Sequence, residues 1–237
     1  MKPIRWFALG VAAVALAFGS VVRADTAASA ESWDGLVQVK GKRMDLVFVA
    51  PGADFRPYTK ILLDRTEVAF HKDWQKNINN TRSVSRKIND NEAAKIKEAA
   101  SSNFADVWTK ALEKAGYQVV TVPGPDVLRL SPGIANLYIN APDTMEGGRV
   151  TSYTTEAGEA TLVLEVRDSR TNALLGRVVD RRITRSTVTL QQSSSVTNRA
   201  DFRMLFQQWA SVAGKGLDEL KELSPIPENL TPGQKLK

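Results

Sequence analysis

Hydrophobic and polar residues alternate along this chain with two different periods, which predict strands and helices separately. Short apolar segments rich in β-branched residues and bounded by Pro or Gly predict strands within 43–51 and 60–70. Two alternating stretches around a polar turn predict a hairpin in "GEATLVLEVRDSRTNALLGRVVDRRITR", residues 158–185. The segment "DVLRLSPGIANLYINAP" predicts a strand that is bulged or lies at a sheet edge, because Pro132 has no N–H to donate.

Helical periodicity appears in two longer segments. Asn89 and Glu92 have the spacing of a capping box, and Gly116 stands where a helix beginning there would end. Apolar residues between them recur every three or four positions, as they do again near the carboxyl end. The first stripe contains Ile96, Phe104, Val107, Trp108 and Leu112, and the second contains Phe202, Leu205, Phe206, Trp209 and Leu217.

The order of these elements predicts an α+β fold. Two long amphipathic helices with one apolar face each suit a two-layer sandwich with a mixed, mostly antiparallel sheet. Residues 34–223 are predicted to form a single domain, preceded by a flexible lead at 25–33. Polar residues and three prolines predict a disordered tail at 224–237, and the polar segment 71–90 predicts a surface loop.

The amino-terminal segment predicts export. Lys2 and Arg5 precede a short apolar run, and Val22 and Ala24 occupy the small-residue positions of a cleavage site. This arrangement is typical of a secretory signal peptide spanning 1–24 and cleaved after Ala24. No later stretch approaches the roughly 20 apolar residues of a membrane span. A periplasmic or secreted mature chain without a transmembrane span is therefore expected.

Composition narrows the chemistry. The chain has no cysteine, which excludes disulfides, thiol catalysis and a lipid-bearing cysteine at the new amino terminus. Removal of Lys2, Arg5 and Arg23 with the signal peptide lowers the net charge from +6 to +3. That charge is ordinary for a soluble domain, and no basic segment is interleaved with aromatic residues, so nucleic acid is not an expected partner.

Candidate catalytic residues are few. His71 is the single histidine, and its neighbour Asp73 merely shares a strand face with it. Carboxylate pairs drawn from Asp64, Glu67, Glu165, Asp168 and Asp180 are the remaining enzymatic route, although Asp168 is better explained by turn chemistry. No phosphate loop, serine elbow or zinc motif is present. We therefore expect no enzymatic activity, no cofactor and no metal.

The strongest candidate binding residues are arginines near the end of the hairpin. Strand alternation places Arg177, Arg181 and Arg185 on one face, and Asp180 and Arg182 on the other. A row of guanidinium groups suits phosphate or carboxylate ligands. The alternative is a solvated strand whose charges prevent unwanted pairing.

Several segments together resemble domain-of-unknown-function family 3313. They are "DGLVQV" (34–39), "VAPGADFRPYTKILLDRTEVAF" (49–70), "GYQVVTVPGPDVLRL" (116–130) and "GEATLVLEVRDSRTNALLGRVVDRR" (158–182). The resemblance implies an exported envelope protein of Gram-negative bacteria, many of which are described as lipoproteins. A fainter similarity to the amino-terminal domain of the Tol-Pal propeller protein and to the curli-secretion lipoprotein implies docking of other envelope proteins.

These observations favour a non-catalytic module that binds another envelope protein or an anionic envelope component. Lipopolysaccharide, anionic phospholipid, peptidoglycan and an acidic protein are the candidates for that partner. One alternative is a structural subunit that self-associates through the predicted edge strand in "LSPGIANLYINAP". The other is a cell-wall hydrolase that uses a pair of carboxylates.

Overall fold

A computed structural model describes residues 32–82, 84–140, 152–156, 158–184, 186–193 and 195–236. The predicted signal peptide, its cleavage site after Ala24 and most of the predicted lead lie outside the described residues. Within them, three α-helices are present: α1 (Trp74–Asn80), α2 (Asp90–Lys114) and α3 (Ser195–Glu222). A 3-10 turn at Val84–Arg86 connects α1 and α2.

One large mixed sheet and one small ribbon contain the described strands. The nine described strands of the large sheet are β1 (Ser32–Trp33), β2 (Leu36–Val39), β3 (Leu46–Val49), β4 (Lys60–Leu63), β5 (Glu67–Phe70), β6 (Gln118–Val120), β7 (Val127–Ile139), β9 (Gly158–Asp168) and β10 (Leu174–Ile183). They are ordered β1-β2-β3-β10-β9-β7-β4-β6, with β5 also paired to β7. The strands β8 (Ser152–Glu156) and β11 (Ser186–Ser193) pair with each other and flank the β9–β10 hairpin in sequence.

The long helices cover one face of the large sheet. In β9 every second side chain is buried, namely Ala160, Leu162, Leu164 and Val166. The helices contribute a layer of aromatic residues to the same core, in which the ring centroids of Phe104 and Phe206 lie 5.2 Å apart. The mixed α+β prediction is confirmed. The two-layer arrangement of two long helices is confirmed in part, because α1 and the β8–β11 ribbon add to it.

The predicted amino-terminal cap of α2 is confirmed. The backbone N–H of Glu92 donates to Asn89 Oδ1 at 3.0 Å, and the Glu92 carboxylate accepts from the Asn89 N–H at 2.9 Å. Two backbone donors that the helix leaves unpaired are thereby satisfied. Gly116 follows the helix with φ of 91°, a conformation that favours glycine.

The segment predicted as a surface loop, 71–90, contains helix α1. Trp74 and Ile78 lie one turn apart on this helix, and both are buried. Trp74 Nε1 donates to the carbonyl of Ile139 at 3.1 Å, which attaches α1 to the end of β7. The loop prediction is wrong because two apolar residues in a polar segment are enough to anchor a short helix by tertiary packing.

The prediction that β7 is bulged is confirmed, because its register with β9 shifts between Ala135 and Tyr138, whereas the alternative of an edge strand is wrong. Its neighbours are β9 on one side and both β4 and β5 on the other. Pro132 falls between Leu130, which pairs with the last residue of β4, and Gly133, which pairs with the first residue of β5. A central strand therefore tolerates proline because no partner residue stands opposite it on that side. The self-association alternative loses its predicted edge.

The carboxyl-terminal segment packs against the domain. Ile226 is 1% exposed, its N–H donates to the carbonyl of Ala53, and its carbonyl accepts from the N–H of Gly52. Further along, Gln234 forms an isolated parallel bridge with Val39 of β2. The prediction of a disordered tail at 224–237 is wrong for 224–236, because Ile226 inserts into the core, Leu230 and Leu236 pack against it, and backbone pairing adds to these contacts. In the described part of the chain, no helix has the length and apolar character of a membrane span.

Candidate functional site

An apolar pocket of about 270 Å³ opens where α3 leaves part of the large sheet uncovered. Its floor consists of helix-facing residues of three neighbouring strands: Val47 of β3, Leu164 and Val166 of β9, and Val178 of β10. They share one face because side chains two positions apart in a strand point the same way. The floor is therefore a continuation of the domain core that the helix does not close over.

Small residues on α3 keep the wall of the pocket open. Ala213 and Gly216 line it beside Leu217 and Leu220. A Cβ atom built on Gly216 would meet no heavy atom within 4 Å. A glycine inside a helix costs about 0.5–1 kcal/mol relative to alanine, and here no backbone crowding requires it.

The rim of the pocket is basic. It is formed by the loop between β2 and β3, by the surface of α3 and by the carboxyl-terminal segment. Among the described residues that line the pocket, five are cations and one is a carboxylate, Glu219, which pairs with Lys42. These cations are Lys40, Lys42, Arg43, Lys215 and Lys235. Apart from the Lys42 pair, none of them forms an ion pair with a described carboxylate, so the rim carries unbalanced positive charge.

Asp180 attaches the rim loop to the core. Its side chain is fully buried, and one oxygen accepts from Trp209 Nε1 and Arg182 Nε, both at 2.7 Å. The other oxygen accepts from the backbone N–H of Asp45 at 3.0 Å. Arg182 in turn donates to the carbonyl of Arg43 at 2.8 Å. A single carboxylate thus connects α3, β10 and the loop that borders the pocket.

Arg177 and Arg181, two of the three arginines predicted as a binding row, lie on the opposite face of the sheet. Arg177 is 5% exposed, although the prediction required an exposed side chain. Its Nη2 donates to Glu165 at 2.6 Å and to Asp34 at 2.8 Å. The exposure prediction is wrong for Arg177 because carboxylates from β9 and from the β1–β2 turn surround its guanidinium group. An anionic ligand would have to displace them.

The other two predicted arginines differ from Arg177. Arg181 is exposed and pairs with Glu159 across the hairpin, while Arg185 lies outside the described residues. Arg177 and Arg181 lie on the same face of β10, as the alternation of side chains along the strand predicts. Because each of these two arginines has a carboxylate partner, this face lacks the excess positive charge found at the pocket rim.

Replacing Glu165 by Gln is expected to make folding stability less sensitive to acid. Burial alone would raise the pKa of Glu165, but hydrogen bonds from Arg177 and Arg167 outweigh burial, and the pKa is lowered. Such a group contributes stability above its unfolded pKa of about 4.3 and loses it as pH falls through the folded pKa. Urea unfolding should show a smaller stability loss for Glu165→Gln than for wild type between about pH 5 and pH 3.

Glu98→Gln is the control for this measurement, because Glu98 is an exposed carboxylate whose ion pair with Arg65 is solvated. This variant should retain the acid sensitivity of the wild type. Equal pH slopes for Glu165→Gln and wild type would show that the arginines do not hold Glu165 in its charged form.

His71 and Asp73 line one open pocket beside α1, and the carboxylates considered for catalysis lie apart from it. Asp168 accepts from the N–H groups of Arg170 and Thr171, which confirms its turn role. Asp64 is bound by Arg129 and Ser131 on the sheet face away from the helices. His71 is exposed, and its ring lies in a T-shaped arrangement with the ring of Tyr138. Within the described ranges, no three His, Asp or Glu side chains are grouped to hold a metal ion.

Sequence reasoning missed the pocket. Two local signals were available: the basic run "KGKR" at 40–43 between two strands, and the small residues of "AGKG" at 213–216 inside a predicted helix. Neither signal indicates that the two segments meet. Their juxtaposition depends on the register of β2 with β3 and on the position of α3 over β10.

Comparison with known proteins confirms the family resemblance. The family described as "Protein of unknown function (DUF3313)" matches residues 25–213, and this chain belongs to it. The comparison with curated proteins gave no match.

Several solved structures are similar to this chain at low identity. The PelC dodecamer from Paraburkholderia phytofirmans is 11% identical with a TM-score of 0.33, and the match covers 70% of this chain and 94% of PelC. Protein XCC0632 from Xanthomonas campestris, of family DUF330, is 11% identical with a TM-score of 0.37, covering 71% and 90%. A neuraminyllactose-binding hemagglutinin homologue from Helicobacter pylori is 9% identical with a TM-score of 0.35, covering 74% and 93%. Similarity at this level supports no inference about ligands or assembly.

Proposed function

We propose that this protein is an exported, non-catalytic module that binds another component of the cell envelope through the pocket between α3 and the β2–β3 loop. The observation that carries this proposal is an apolar floor left open beside a basic rim. Natural cores are packed to near crystal density, so an open apolar space next to complete core packing is unusual. Clefts with apolar linings and a few placed charged groups are the usual form of ligand sites.

The charges of the described residues favour binding over catalysis. A hydrolytic carboxylate pair needs one acid with a raised pKa. The pKa of Asp168 is instead lowered: burial would raise it, but hydrogen bonds from Thr171, Tyr58 and Arg170 outweigh burial. The pKa of Glu165 is lowered in the same way, by hydrogen bonds that outweigh burial. Hydrogen-bonded carboxylates of this kind serve structure, and Glu219, on the rim, is the single acid among the described residues that line the pocket.

Export is part of the proposal and is tested first. Expression of the full chain in a Gram-negative host should release a protein whose amino terminus is Asp25, recoverable by osmotic shock without detergent. Edman sequencing and fractionation provide the measurement. A product that retains residues 1–24 and stays with the membrane fraction would contradict the export proposal.

Binding is tested with the processed protein from that experiment. We expect it to co-sediment with outer-membrane vesicles, and the bound fraction should fall as salt rises because the rim cations are exposed. Gly216→Phe places a ring in the open space of the pocket and should reduce binding at least about tenfold.

Gly216→Ala is the matched control, because it changes the same helix position while adding a single methyl group. It should bind as the wild type does and should be slightly more stable. Arg181→Glu tests the opposite face and should leave binding unchanged. Equal sedimentation of Gly216→Phe and Gly216→Ala, with both folded by circular dichroism, would remove the pocket as the binding site.

A further inference from the structure

We infer that the pocket binds the alkyl chain of a single-chain anionic amphiphile, with the acidic head group of this ligand at the basic rim. This inference rests on the proposed function, because it names the ligand class of the same pocket. It is argued from three properties of the described residues: the chemistry of the interior, the charge of the rim and the size of the space.

The described residues that line the interior include no uncharged hydrogen-bonding side chain. Each polar side chain among them is a lysine, an arginine or Glu219, and the others are aliphatic, methionine or glycine. A glycan or a polar peptide buried there would leave its hydroxyl or amide groups without hydrogen-bond partners, which disfavours binding. An alkyl chain has no such groups, so it suits this lining better than peptidoglycan does.

The rim selects the sign of the head group. Lys40, Arg43, Lys215 and Lys235 are exposed, and no described carboxylate neutralises them. Charge-assisted hydrogen bonds to a carboxylate or phosphate are stronger than those between neutral groups. A cationic head group would instead meet like charges on the loop, the helix and the carboxyl-terminal segment.

The size of the pocket limits the ligand to one chain. Its volume of about 270 Å³ is at the lower limit of pockets that take small molecules. Two acyl chains of an intact phospholipid would exceed that space. The aliphatic floor also lies directly on the sheet, so the chain would contact Leu164, Val166 and Val178 along its length.

Isothermal titration calorimetry of the processed protein with alkyl carboxylates tests the ligand class. The probes are hexanoate, octanoate, decanoate and dodecanoate, each below its critical micelle concentration. Affinity should rise about threefold to fourfold with each methylene until the pocket is full, and then level off. Decylammonium, which has the opposite charge, should bind at least about tenfold more weakly than decanoate.

Two sets of variants separate chain binding from head-group binding. Gly216→Phe should abolish decanoate binding, whereas Gly216→Ala should retain it. The double variant Lys215→Glu/Lys235→Glu should lower the affinity for decanoate about tenfold and remove its dependence on salt concentration. The pair Lys95→Glu and Lys110→Glu changes the same charge on exposed positions of α2 and should leave affinity unchanged.

The outcomes distinguish this inference from the proposed function. Affinity that does not depend on chain length, or equal binding of decylammonium and decanoate, would overturn the ligand class. Both comparisons use wild-type protein and stand even if Gly216→Phe fails to fold. If Gly216→Phe abolishes vesicle binding but the wild type does not bind decanoate, the proposed binding function would stand and the amphiphile would be ruled out as its ligand. Decanoate binding without vesicle binding would support the ligand class and overturn the docking role.

Discussion

Asp180→Ala is expected to lower the free energy of unfolding by about 3–5 kcal/mol, because loss of the buried carboxylate leaves the indole N–H of Trp209 without an acceptor in the core and the partly exposed Arg182 without its ion-pair partner. The substitution deprives Trp209 Nε1, Arg182 Nε and the N–H of Asp45 of their common acceptor. Trp209 is 1% exposed, so water cannot replace the lost bond without opening the core. Urea unfolding followed by tryptophan fluorescence measures the loss.

Two further variants serve as comparisons for Asp180→Ala. Asp180→Asn retains one acceptor oxygen without charge and should lie between wild type and Asp180→Ala. Asp126→Ala removes a half-exposed carboxylate that pairs with Lys60, and it should cost no more than about 1 kcal/mol. If Asp180→Ala lowered the free energy of unfolding by less than about 1 kcal/mol, the hydrogen bonds of Asp180 would not stabilise the fold as proposed.

Asp180 also connects stability to the pocket. Its bonds to Asp45 and Arg182 hold the loop that supplies Lys40, Lys42 and Arg43 to the rim. An Asp180→Asn protein that remains folded should therefore bind alkyl carboxylates more weakly than wild type, although Asp180 does not line the pocket. Asp180 acts as a positioning residue for this loop.

Ile226→Ala is expected to destabilise the protein by about 2–5 kcal/mol, the range for truncation of a fully buried aliphatic side chain. The side chain is 1% exposed and belongs to the main core cluster, although it follows α3 in a polar segment. Its backbone also exchanges hydrogen bonds with residues 52 and 53. Chemical denaturation of the variant and wild type provides the comparison.

Asn229→Ala is the control for the carboxyl-terminal segment, because Asn229 is exposed three residues after Ile226. We expect a change within about 0.5 kcal/mol for this variant. If Ile226→Ala behaved like Asn229→Ala, residues 224–236 would not be part of the folded domain. Their contribution of Lys235 and Leu236 to the pocket would then be lost as well.

Features controlled by neighbours in sequence were predicted well. The capping box of α2 depends on residues three positions apart, and the turn after β9 depends on Asp168 and the next three residues. Alternation along β10 placed Asp180 and Val178 on one face and Arg177 on the other, as the register confirms. These predictions succeed because the backbone period alone relates the residues involved.

Features that depend on partners from distant segments were predicted poorly. Composition indicated a loop at 71–90 and a disordered tail at 224–237, yet Trp74 and Ile226 each insert into the core and hold a short segment in place. Arg177 was expected in solvent, but the strand period says nothing about Glu165 and Asp34, which approach it from other strands or turns.

The sequence by itself therefore determined the two long helices, the faces of the hairpin strands and the mixed α+β class, since local periodicity and capping encode these properties. The resemblance of its segments to known sequences identified the family. The tertiary structure alone decided which charges are neutralised and where an apolar surface stays uncovered. The pocket brings together the loop 40–44, three strands, α3 and the carboxyl-terminal segment. These parts are far apart in sequence, and sheet register and helix packing bring them into contact.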